Sequence, residues 1–267
     1  MTHKQILDKI GFIALTQAID EDLARLVTRG LAFKKGGSIT DVSSYVLPKI
    51  LMRWNCVLLA DSGLAKFYKE KVVLTLAILL HKYGFSDNEI TKKATIAIDT
   101  LNDGVVLSDD FYRKSSQIKD FLLTKPKELK RKPAKQQSIT FFRAKDVIFI
   151  NVSGKFYIAY IHELTGTNES PVIELYDVTY DKKPTLEDIK MLKAKGVMYN
   201  DGIIRKALFA IYGMKYQPDF ANQIHLLKSC SGSEMLPEDS HLEESVGVYT
   251  VSNLFVMQDK IIDMFAS

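Results

Sequence analysis

The sequence predicts an α+β protein: a bundle of helices followed by a small, antiparallel β-rich domain. Three observations predict it. Apolar residues recur at spacings of three and four from Asp20 to Thr124. A stretch bearing lysines and prolines then breaks the pattern, and beyond it Val, Ile, Phe, Tyr and Thr gather in runs of six to nine residues. These changes divide the chain into a helical part at 1–124, a basic linker at 125–138 and a β-rich part with helices at 139–267.

The helices follow from their punctuation. Asp20 can cap a helix carrying Leu23, Leu26, Val27 and Leu31, which Gly36-Gly37 ends. A second starts near Asp41, holds Pro48 as a kink or restart, and runs to Asp61-Ser62-Gly63. The third, Leu64 to Tyr83, contains the longest apolar run, Val72 to Leu80, and stops at Gly84. That run is about half of the roughly 20 residues that span a bilayer, so it reads as a buried helix and no membrane partner is expected. Ser86 and Glu89 form a capping-box pattern for a fourth helix, with Asn102-Asp103-Gly104 as its stop, and Ser108-Asp109 opens a fifth.

The linker has two prolines, one leucine and no aromatic residue, so it lacks the apolar surface that would offset the entropy of ordering. Beyond it, Asp146 to Val152, Lys155 to Leu164 and Val172 to Tyr180 read as three strands of a meander, the first two joined by Ser153-Gly154. The second strand is apolar on both alternating faces, as in a small SH3-like or partial barrel packed against helices. Thr185 to Ala194 reads as a helix, Ile224 to Lys228 and Val246 to Val251 as strands, and Asn253 to Phe265 as a closing helix. Gly196 to Gly213 is ambiguous.

Charge and composition narrow the function. Net charge is +4, but residues 1–137 hold 23 Lys and Arg against 15 Asp and Glu, while the remainder holds 13 against 17. Two parts of opposite sign follow. The linker bases Lys125, Lys127, Lys130, Arg131, Lys132 and Lys135 read as a solvated tether or a weak nucleic-acid contact. Cys56 and Cys230 lie in apolar neighbourhoods 174 positions apart and read as buried, reduced thiols. The first fifteen residues show no export leader, so a cytoplasmic protein is expected.

No catalytic signature is legible. The five histidines never fall three or four apart, no phosphate-cradling glycine motif or nucleophile elbow occurs, and no metal, cofactor or enzymatic activity is expected. The acidic pairs Asp20-Glu21-Asp22, Asp109-Asp110 and Glu187-Asp188 fall in expected first helical turns, where carboxylates favour the helix dipole. What remains is a tyrosine-bearing acidic stretch around the end of the third strand. Tyr176, Asp177, Tyr180, Asp181, Glu187 and Asp188 form the expected partner-binding surface, with tyrosines as anchors and carboxylates as partners for Arg or Lys.

The run Arg143 to Ile150, followed after Gly154 by Lys155 to Ile161, resembles a segment of one group of bacterial immunity proteins of polymorphic toxin systems: Gly-Asp-Val, an apolar strand, Gly-Lys-Tyr, and a second apolar strand. It covers some 35 residues, and Lys145 stands where the pattern has glycine. The resemblance implies a binding protein that neutralises a cognate toxin by occluding it. The alternative is a nucleic-acid-binding or regulatory protein that uses the basic N-terminal half and the linker.

Overall fold

The computed structural model describes residues 1–129, 132–133, 139–189 and 191–266. The chain divides into two compact units, Met1–Gln136 and Gln137–Ser267. Of the linker bases, Lys130, Arg131 and Lys135 lie outside the described residues.

Among its described residues the first unit has six helices: α1 His3–Ile10, α2 Ile13–Lys35, α3 Ser43–Leu58, α4 Tyr68–Lys82, α5 Asn88–Asp103 and α6 Asp109–Leu123. Two lie where no helix start was expected. Thr2 caps α1 through a reciprocal bond pair with Gln5, and Gly11, at φ 67, ends it. The second helix begins at Ile13, seven residues before Asp20, because Leu15, Ala18 and Ile19 continue the buried stripe of Leu23, Leu26 and Val27. Asp20 is therefore no cap; its carboxylate pairs with Lys82 at 2.7 Å. Pro48 sits inside α3, and every residue of α4 from Val72 to His81 is buried, making it the centre of the bundle. Asp87, one residue after the expected Ser86, caps α5 by accepting from the Ile90 N–H at 2.9 Å. Ser108 caps α6 as expected.

Two polar clusters sit inside this bundle. Asp22 accepts from Arg53 Nε at 2.7 Å and from Trp54 Nε1 at 3.1 Å, all three residues being buried. It is a core ion pair rather than a first-turn carboxylate. At the other, His3 Nε2 lies 2.9 Å from His81 Nδ1, joining α1 to the central helix. The start of the linker packs back on this unit: a Cβ at Gly84, whose φ is 86, would lie 3.0 Å from the Lys127 carbonyl oxygen and 3.3 Å from the Leu129 nitrogen.

Among the described residues of the second unit, eight strands and one α-helix follow: β1 Val147–Val152, β2 Lys155–Thr165, β3 Ser170–Tyr180, β4 Val197–Met198, β5 Ile204–Arg205, β6 Phe209–Tyr212, β7 Ile224–Lys228, β8 Thr250–Asn253 and α7 Leu254–Phe265. A six-stranded sheet has the order β7-β1-β2-β3-β6-β8, and β4-β5 form a separate hairpin. The sheet is mixed: β6 and β8 run parallel while its other pairs are antiparallel. Ser153 and Gly154, at φ 54 and 85, make the tight turn between β1 and β2. Both faces of β2 are covered, since Tyr157 to Ile161 are all buried. Val147, Phe149, Ile158, Tyr160 and Tyr176 pack with Ile189 and Met235 on one face, and on the other Tyr157 meets Phe265 of α7 at 4.9 Å.

Two expected elements differ. The helix at 185–194 shrinks to one 3-10 turn, Leu186–Asp188. The outer edge of β3 needs partners beyond Ile173, where β6 stops pairing, and residues 193–195 supply them: Asp177 N donates to Lys193 O, and Lys195 N to Leu175 O, both at 2.8 Å. The strand expected at 246–251 forms only from Thr250. Val246 and Val248 flank Gly247 and are 72% and 74% exposed, with no strand beside them among the described residues.

Candidate functional site

The stretch singled out by its tyrosines and acids does not form one surface. Along a strand, neighbouring side chains alternate between faces. Tyr176 is 1% exposed in the sheet core, where its hydroxyl donates to the Met235 carbonyl and burial raises its pKa. It anchors the fold, not a partner. Tyr180 is half-buried on the same face and donates to the Asp188 carbonyl oxygen at 2.8 Å. The Asp188 carboxylate caps the 3-10 turn: bonds from the Thr185 N–H and hydroxyl hold its pKa below the usual range. Glu187 is exposed in the same turn, and Asp181 is exposed in the bend that follows β3. Asp177 points away from that group and pairs with Lys195 at 2.9 Å.

Asp177 instead leads to a groove of about 480 Å³. Its apolar wall comes from Val197, Met198, Ile204, Leu242 and Met264, and its polar positions are Asp177, Lys195, His241 and Asp263. Gly196 lets the β4-β5 hairpin lie close: a Cβ there would sit 2.5 Å from Ile204 Cγ2 and 2.9 Å from the Arg205 carbonyl oxygen. Met198, Tyr199, Ile203 and Ile204 leave this hairpin apolar and exposed, Met198 by 65%. Arg205 stacks over the Tyr199 ring at 5.1 Å and bonds Asp201, whose pKa is lowered by that bond.

An acidic strap borders the hairpin. Ala194 N donates to Glu238 O at 2.7 Å and Lys206 N to Glu243 O at 2.9 Å, so residues 238–243 run beside both arms. Lys206 joins the strap to the sheet: it pairs with Asp239 and lies 4.0 Å from Glu174, a buried carboxylate that His162 meets at 2.7 Å. Burial opposes the Lys206 charge, but the Asp239 bond and the Glu174 and Glu244 carboxylates outweigh it and raise its pKa. Between Ser229 and Asp259 the sequence holds six acids and neither Lys nor Arg. That run is the legible signal for this surface, and it lies far along the chain from the tyrosines of β3.

Cys230 is exposed at φ 48 and Cys56 is half-buried, so neither is the fully buried thiol expected. The Cys230 loop is tied to the buried Asp146, which accepts from Ser229 Oγ at 3.1 Å and from Cys230 N at 3.2 Å. Among the described residues no three His, Cys, Asp or Glu groups are placed to hold a metal ion, and no helix is long and apolar enough to cross a membrane. No family model, curated protein or solved structure matches the chain.

Proposed function

We propose that the protein is a non-catalytic binding protein that acts in the bacterial cytoplasm and neutralises a cognate toxin, or toxin domain, by occluding it. The observation that carries this reading is the exposed apolar β4-β5 hairpin bordered by the acidic strap. An apolar centre inside a charged rim is how protein–protein contacts are built: the centre supplies affinity, and the rim speeds encounter and selects the partner. The short β1-β2 pair that resembles immunity proteins belongs to the same unit.

The test is co-expression with the product of the adjacent gene, followed by size-exclusion chromatography of the complex. Met198→Glu combined with Ile204→Glu places two charges at the apolar centre and is expected to weaken the complex by about 2 kcal/mol or more. Asp181→Lys, at an exposed turn outside the groove, is expected to cost about 0–1 kcal/mol. Absence of any protein partner refutes the occlusion reading, and a complex indifferent to the double substitution moves its surface elsewhere.

Nucleic-acid binding by the first unit is the second reading. It is favoured by cations over neighbouring rings: Arg29 lies 5.3 Å from the Phe33 ring centre and Lys49 5.4 Å from that of Tyr45, the rings meeting edge to face at 5.2 Å. Affinity for a single-stranded oligonucleotide that survives physiological salt would promote it. Affinity that vanishes steeply with salt marks a non-specific contact.

A further inference from the structure

The groove beside the hairpin has a composition that selects its occupant. Its wall is aliphatic and thioether, and the two methionines, Met198 and Met264, are unbranched side chains that adapt to an inserted stem. Its cation is already engaged: Lys195 is held by Asp177 at 2.9 Å and lies 4.9 Å from the centre of the Phe265 ring. Arg205 and Lys206 are likewise paired, with Asp201 and Asp239. Asp263 lines the groove, Glu243 lies in the adjoining strap with Glu244 beside it in sequence, and none of the three makes an ion pair among the described residues. The surplus charge at the mouth is therefore negative and lies next to an apolar wall.

Resting on the occlusion reading above, we propose that this groove receives an arginine side chain of the protein partner, its methylene stem against Met198, Leu242 and Met264 and its guanidinium at Asp263. A long side chain with a charged tip buries its stem and keeps its head at the rim, which is the shape of this site. Arginine fits better than lysine because its planar fork grips a carboxylate by two bonds and is more weakly hydrated. The partner is thus a protein that presents a basic side chain on a convex surface.

The experiment uses the full chain with carbon-13 methionine methyls, the Met198 and Met264 signals assigned through Met→Leu variants. N-acetylarginine amide is titrated against N-acetylnorleucine amide and N-acetylglutamine amide. The arginine amide is expected to move both groove methyls saturably and more than either control, and Asp263→Asn is expected to weaken it by about two- to fivefold. Glu243→Gln, in the adjoining strap, gives a second, independent reduction should Asp263→Asn perturb α7. Norleucine amide acting as strongly would make the groove merely apolar and overturn the proposal, as would groove methyls that do not respond. A complex with the adjacent gene product that leaves both methyls unmoved discards the arginine occupant and keeps occlusion. A methyl response with no protein partner does the reverse.

Discussion

Replacing His3 with phenylalanine removes one donor from a short hydrogen-bonded chain while keeping the ring. His3 Nε2 lies 2.9 Å from His81 Nδ1, His81 Nε2 lies 3.1 Å from both the carbonyl and hydroxyl oxygens of Thr124, and Phe121 packs on the two imidazoles at 4.9 and 4.8 Å. When both rings are neutral and His81 Nε2–H donates to Thr124, His81 Nδ1 accepts from His3 Nε2–H. His81 is buried, so removing the donor strands an acceptor at a cost of about 1–2 kcal/mol. For a unit spanning Met1–Gln136 that is roughly 3–6 °C in melting temperature. His3→Ala loses the ring contacts as well, about 0.5–1.5 kcal/mol more. The pH dependence has a definite sign. Burial first, then the His81 and Lys82 charges, lowers the His3 pKa. The unfolded chain therefore takes the proton before the folded one does. Its contribution is complete above about pH 6.5 and is lost as pH falls from there toward the folded pKa. The phenylalanine variant has no such loss from this position. The assay is calorimetric melting at about pH 7.5 and about pH 5, with a proton NMR titration of the His3 ring. A His3 titrating at or above its ordinary value, or a phenylalanine variant with the wild-type pH slope, refutes the reasoning.

Lys145, exposed at φ 68, stands where a glycine carries no left-handed penalty, so Lys145→Gly is expected to stabilise the second unit by about 0.5–1 kcal/mol in urea unfolding. Tyr176→Phe is expected to cost about 1–2 kcal/mol of stability by stranding the Met235 carbonyl, with partner affinity unchanged; lost affinity at full stability would return Tyr176 to the interface. Gly84→Ala is expected to cost about 1–2 kcal/mol, because it combines a positive φ with a close approach to the Lys127 carbonyl, and to speed tryptic cleavage after Lys127. An unchanged cleavage rate would mean that residues 127–129 gain nothing from that contact.

Several features were legible because their signal lay within a few residues of its effect, although the Thr2–Gln5 capping box of α1, equally local, was not read. Ser108, Gly84 and the Ser153-Gly154 turn act through bonds or φ values that depend on their own positions, and the β1-β2 pair follows from that turn. The start of α2 was misplaced because Asp20 looks like a cap from sequence, whereas its carboxylate spans to Lys82 on another helix. The helix expected at 185–194 gave way to pairing with β3, a demand set by an edge many residues away. The site was less legible than the fold. Tyr176 and Asp177 are neighbours in sequence and lie on opposite faces, one in the core and one at the groove.

By itself the sequence determined the α+β class, the order of helices before strands and the opposite charge of the two halves, because periodicity, caps and composition are properties of short windows. Only the tertiary structure decided that β6 and β8 run parallel, that Asp22 is a buried partner of Arg53, and that residues 194–198, Ile204, residues 241–242 and residues 263–264 converge on one groove. Those outcomes depend on which distant segments satisfy each other's backbone bonds and charges, and no local pattern carries that information.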